Sequence, residues 1–176
     1  MALRPGRCHS RVERPYTRIS RRKPRKSYVV GVPDPKIHHF EMGNVHGKFD
    51  TVVYLVAKEA RQIRHNALEA ARVVMTKYLT KKVGNDNFFA KILVYPHHVL
   101  REHSLATGAG ADRFSSGMRR AFGRPVGKAA QVRKGQKIIM IRINEDKLEF
   151  AKEALRRADS KLPTPCRIVV EKKAAG

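Results

Sequence analysis

The chain has 176 residues, room for one domain of ordinary size and an appendage, and its 41% hydrophobic content is enough for a core. Thirty-eight Lys and Arg face fifteen Asp and Glu, a formal charge of +23. A surplus that large exceeds what solubility needs and calls for a polyanionic partner, nucleic acid first. No apolar run approaches the roughly 18 residues of a membrane span, and the Arg-rich start lacks the apolar segment of a secretory signal. An acid-poor start of this kind also resembles an organelle transit peptide, but the default location is the cytoplasm. Cys8 and Cys166 form no C-x-x-C pair, so zinc readings lose their main support. Nothing points to an oxidising compartment, and the sequence leaves their pairing open.

Residues 1–35 read as an extended basic arm that binds RNA. Arg4, Arg7, Arg11, Arg14, Arg18, Arg21, Arg22, Lys23, Arg25 and Lys26 run through it against one acid, Glu13. Pro5, Pro15 and Pro24 interrupt it, and no apolar period survives. Such a segment buries too little apolar surface to offset its chain entropy, so it is expected to be disordered alone and ordered against phosphates. Arginine predominates, whose planar fork grips phosphate at two points, and Tyr16 can stack on a base.

Residues 36–172 read as the globular domain, entered through the turn-rich Gly31-Val32-Pro33-Asp34-Pro35. Val52, Val53, Leu55 and Val56 predict a strand over 49–57. A helix is predicted over 58–82 from Ala60, Ile63, Ala67, Ala70, Val74 and Tyr78 at spacings of three and four. A strand follows over 88–95, ended by Pro96, and then a glycine-punctuated segment to about residue 127. Val132 and the apolar run 138–143 predict a strand pair turning at Lys134-Gly135. Asn144 is the expected cap of an amphipathic helix carrying Leu148, Leu155 and Ala158, and a short strand over 167–171 closes the chain. The expected class is α+β: a two-layer sandwich of a mainly antiparallel sheet with two helices on one face.

The chemistry concentrates in a basic glycine-rich loop at about 101–127. Between Asp112 and Glu145 there is no acid, while Arg113, Arg119, Arg120, Arg124, Lys128, Arg133 and Lys134 all fall there. With Arg101 and His103 at its start, these are the candidate RNA contacts. Interleaved glycines let backbone approach phosphate closely, which an ordinary solvated charge run does not need. Phe122 is expected in the core; Phe114 suits core or base packing equally. The segment Gly108-Ala109-Gly110 lacks the third glycine and distal acid of a dinucleotide fingerprint, since position 113 is Arg. The pairs His38-His39 and His97-His98 point to opposite faces of an extended chain, so an edge or RNA contact is favoured over metal. His103, Ser104, Asp112 and Ser115 share a loop without triad geometry, and Glu59, Glu69, Glu149 and Glu153 read as helix partners of nearby cations. No catalytic, metal or cofactor site is expected. The rival readings are a nucleic-acid-modifying enzyme, which lacks its site, and a general nucleic-acid-compacting protein, which would bind DNA and RNA alike.

Several ordered segments carry a family resemblance. They are Ala111-Asp112-Arg113, Gly117-Met118-Arg119 and Ala121-Phe122-Gly123-Arg124-Pro125, with Arg4-Pro5-x-Arg7-Cys8, Gly31-Val32-Pro33-Asp34, 67–72 and 153–158 in support. Through them the chain closely resembles the universal large-subunit ribosomal protein called L-sixteen in bacteria and L-ten-e in archaea and eukaryotes, in its archaeal form. Gln131 departs from the basic residue usual there. The resemblance implies a compact α+β fold lodged between ribosomal RNA helices near the tRNA cleft. It implies that the loop at 101–116 points toward the peptidyl transferase centre and aminoacyl-tRNA. It further implies a role in holding the RNA that receives tRNA, late entry into the assembling subunit, and no catalysis. The expected partners are large-subunit ribosomal RNA, neighbouring ribosomal proteins and, transiently, tRNA, with no membrane and no homo-oligomer.

Overall fold

The structure, a computed structural model, describes residues 4–12, 23, 29–119 and 121–172. Its strands are β1 Glu41–Gly43, β2 Thr51–Ala57, β3 Arg61–Arg64, β4 Phe88–Ile92, β5 His98–Glu102, β6 Arg124–Val132, β7 Lys137–Ile143 and β8 Cys166–Lys172. Two helices, α1 His65–Lys82 and α2 Leu148–Asp159, complete the α+β fold. Every strand pairing is antiparallel.

The main sheet has the order β1-β4-β7-β2-β8. Its register follows from period-two burial, because aligned inward residues make continuous apolar rows. Ala90, Ile141 and Val53 form one row; Ile92, Ile139, Leu55 and Ile168 form the next. A slip of one residue would turn these rows to water, and each large buried side chain contributes roughly 1.5–3 kcal/mol by burial. Helix α1 presses Leu68, Ala71, Met75 and Leu79 into this core, and α2 adds Ala151, Ala154, Leu155 and Ala158. Small residues on α2 let the helices pack closely together.

A second sheet, ordered β3-β6-β5, was not anticipated as such. The helix expected over 58–82 begins only at His65, because residues 61–64 pair with β6 instead. Ile63 lies opposite Ala130 there and is fully buried. The expected strand at Val132 starts eight residues earlier, at Arg124, and β5 occupies the start of the supposed loop. Asn144 does not cap α2: it precedes a 3-10 turn over Glu145–Lys147, its carbonyl accepting the Lys147 N–H at 3.1 Å. Ile63, Ala130 and Val132 join the same core as the main sheet, so α1 braces both sheets.

Candidate RNA interface

The small sheet organises the basic segments. Gln62 donates its backbone N–H to the Ser10 carbonyl at 2.9 Å, and its side-chain amide donates to the His9 carbonyl at 3.0 Å. Arg64 donates to the Arg4 carbonyl at 2.8 Å, and His9 Nε2 meets Glu102 Oε1 at 2.8 Å. Residues 4–12, expected to order only against phosphate, therefore lie along β3 and β5, with a 3-10 turn at Gly6–His9. The unpaired edge of β3 supplies the physical reason, since its free N–H offers a partner to the arm. Gln131 donates to Gln62 Oε1 at 3.2 Å, so its side chain takes part in the network that holds the arm.

A register shift between Leu100 and Arg101 interrupts the pairing of β5 with β6, which resumes with Arg101 opposite Pro125 and Glu102 opposite Arg124 before the chain leaves for the loop. Arg101 donates to the Phe122 carbonyl at 2.7 Å, and its guanidinium sits 3.7 Å from the centre of the Phe122 ring. His103 Nε2 reaches the Gly117 carbonyl at 2.7 Å. Gly123, with φ +78°, lets this return strand touch β5: a Cβ there would lie 2.8 Å from the Glu102 carbonyl carbon. These contacts fold residues 103–119 and 121–123 into one wall of a cleft of about 780 Å³. His103, Phe114, Arg119, Phe122 and Arg124 line it, with Glu102 as its one acid. Phe122 was expected in the core, but it is 50% exposed, and Phe114 is 86% exposed. Both lie outside the main hydrophobic core and line the cleft instead.

The distribution of charge is uneven. Every glutamate among the described residues has a cationic partner: Glu69 pairs with Arg72, Glu149 with Lys152, Glu153 with Arg156 and Arg157 on the helices. Glu41, Glu145 and Glu171 pair with lysines, and Glu59 pairs with Arg61 from a turn, not from the expected helix. Glu102 is held by His9 and Arg4. Arg113, Arg119 and Arg124 are exposed and, among the described residues, have no acidic partner.

Not all sequence candidates converge. His103, Arg119 and Arg124 share the cleft, and Arg4, Arg7 and Arg11 are exposed along the docked arm. Arg133 and Lys134 are exposed at the β6–β7 turn, roughly 30 Å along β6 from Arg124. Lys128 is half-buried near His65, and Lys23 is exposed. Arg14, Arg18, Arg21, Arg22, Arg25, Lys26 and Arg120 lie outside the described residues. Sequence reasoning missed Met118, which is 70% exposed, and the Gln62–His9–Glu102 clamp. An apolar residue inside an acid-free, aperiodic run was the available signal for the first.

His65 opens α1 and accepts the Lys36 N–H on Nδ1 at 3.1 Å. Burial lowers its pKa, and Lys36, Lys128 and Arg64 lower it further, so the neutral ring tautomer with its proton on Nε2 fits the site. His97 is exposed and His98 buried, each on its own side of the chain. Cys8 is exposed, Cys166 is half-buried, and both are free thiols. Among the described residues no helix is long and apolar enough to cross a membrane.

Residues 16–169 match the family model described as ribosomal protein L16p/L10e, which spans both sheets, both helices and the cleft. The chain belongs to this family. It is similar to the large ribosomal subunit protein uL16 of Staphylothermus marinus, 56% identical over 96% of this chain and 94% of that protein. The protein of the same name from Archaeoglobus fulgidus is 52% identical over 98% of this chain and 95% of that one. That of Methanococcus maripaludis is 51% identical over 98% and 96%. The L16p/L10e match and the cleft agree in position, since the motif 111–125 that carried the resemblance forms most of the cleft wall.

Proposed function

We propose that the chain is a structural constituent of the large ribosomal subunit that binds its ribosomal RNA through the cleft face and the docked arm. The observation that carries this reading is the separation of charge: the described glutamates are paired, while Arg119 and Arg124 stand exposed on the cleft lining and Arg113 is exposed in the same loop segment. Phosphate contacts of this kind supply affinity and position, and a folded RNA is then recognised by shape. By the family resemblance of the loop, the cleft lies toward the aminoacyl-tRNA path and the peptidyl transferase centre. There the protein supports tRNA positioning, subunit assembly and translation. Neighbouring ribosomal proteins and, transiently, tRNA are its further partners; it works in the cytoplasm as a single copy, and it is no enzyme.

Sedimentation after a high-salt wash of cell extract tests the reading. Co-migration of the tagged protein with the large subunit is the expected result, and release to the top of the gradient while other ribosomal proteins stay bound would overturn it. In a purified RNA-binding assay, six to ten engaged cations should make affinity fall by about three to five decades between roughly 50 and 200 mM salt. Arg119→Gln and Arg124→Gln should each flatten that salt slope by about one. An unchanged slope in both variants would remove these arginines from the interface.

A further inference from the structure

We propose that the cleft between β5, the 103–119 loop and the start of β6 receives one unpaired ribosomal RNA nucleotide, its base packed on Phe114 and Phe122 and its phosphate held by Arg119 and Arg124. The proposal rests on the RNA-binding reading above and adds to it a recognition mode that phosphate contacts alone do not supply.

Three observations on the cleft combine. Its volume, about 780 Å³, accommodates a nucleotide, since pockets for small organic ligands run roughly 300–1,000 Å³. Two phenyl rings with no polar atom to satisfy stand half or more exposed on its lining, an arrangement that water alone does not favour. One of them is held rigid: Arg101 stacks at 3.7 Å from the Phe122 ring centre and ties down its carbonyl at 2.7 Å. A base stacked on such a ring needs no side-chain ordering at binding, and stacking is tolerant of base identity because every base presents a π face.

The charge decides the chemical class of the occupant. His103, Arg119 and Arg124 edge the cleft, and its one carboxylate, Glu102, is already occupied by His9 at 2.8 Å and by Arg4 at 3.5 Å. An apolar protein segment would fill the rings and leave those arginines facing nothing; an anion with a flat apolar face satisfies both. A base inside a duplex cannot reach the rings, because its faces are covered by its neighbours, so the nucleotide must be unpaired.

The test uses the full chain and two probes: a short single-stranded RNA carrying a fluorescent purine analogue, and a blunt-ended RNA duplex with the same number of phosphates. Phe114 is nearly fully exposed, so Phe114→Ala leaves the fold intact. The expected result is stacking-induced quenching of the analogue with the native chain. Phe114→Ala should weaken single-strand binding roughly ten-fold and leave binding of the duplex within about two-fold. Arg119→Gln should weaken both probes alike. Equal loss on both probes for Phe114→Ala, or no quenching, would overturn the nucleotide assignment while leaving RNA binding in place. Failure of the native chain to bind either probe would overturn the RNA reading and this proposal with it. In assembled large subunits without tRNA, one unpaired ribosomal base should become reactive to methylating reagent when Phe114 is replaced. Protection that appears only on adding tRNA would refute ribosomal RNA as the source.

Discussion

Replacing Gly123 by alanine probes the joint that shapes the cleft. The residue has φ +78°, a left-handed backbone that an L side chain adopts at about 1–2 kcal/mol. The added Cβ would also meet the Glu102 carbonyl carbon at 2.8 Å, its oxygen at 2.9 Å and the His103 nitrogen at 3.1 Å. These are backbone atoms at the end of β5 and cannot rotate away, so the return segment must move off the strand and loosen the Arg101–Phe122 stack. Gly110 separates the two terms, because its φ is +77° but nothing lies within 4 Å of its Cβ position. Gly110→Ala should therefore show only the conformational term, about 1 kcal/mol, and Gly123→Ala about 2–3 kcal/mol. For a chain of this size the larger loss lowers the melting temperature by about 4–12 °C. Thermal or urea unfolding measures both variants, and amide exchange at Glu102 and His103 locates the disturbance. Equal destabilisation by the two alanines would refute the close-approach argument and leave only backbone strain.

Two further outcomes follow from the titrating groups. His65 has its folded pKa lowered beneath the usual 6.5, by burial first and then by Lys36, Lys128 and Arg64. Below 6.5 the unfolded chain takes up a proton that the folded one refuses, so its contribution is present above that value and lost as the pH falls toward the lower folded value. Urea unfolding at about pH 7.5 and pH 5 should show this loss in the native chain and a smaller one in His65→Gln; identical losses would contradict it. Burial, with Asp159 alongside, pushes the Cys166 thiol up to about 12, so it stays protonated and inert at neutral pH. Alkylation of the folded protein should modify exposed Cys8 first, and equal labelling rates at the two cysteines would sink that assignment.

The main sheet and both helices were legible because their inward residues are large and regularly spaced: Val53 and Leu55, Ile139 and Ile141, Met75 and Leu79. The small sheet was not, because its middle strand buries Gly127, Ala129 and Ala130, which carry little hydrophobic signal. Ile63 belongs to a strand but falls four residues before Ala67, a spacing that a helix would also produce. Only pairing with a partner more than sixty residues away settles that ambiguity. At the site, the charges could be read directly, since the absence of acids between 112 and 145 is visible in the chain. The exposure of Phe114 and Phe122 could not, because exposure depends on what the rest of the fold leaves uncovered. Gln131 carries the same lesson in reverse: a missing cation turned out to be an amide with a partner of its own.

Glu102 links these parts, and its position explains how a carboxylate can stand in the wall of a cleft proposed to take an anion. Left free, it would repel phosphate at close range, with an interaction of about 4 kcal/mol at 4 Å in a partly screened setting. The fold instead brings the arm across the small sheet, where His9 and Arg4 take both of its oxygens. The arm reaches that position because Gln62 and Arg64 hold the carbonyls of His9, Ser10 and Arg4. Docking the arm and freeing the cleft of negative charge are thus one event: the first described residues of the chain engage the one acid that lines the cleft among the described residues, and leave Arg119 and Arg124 unopposed there.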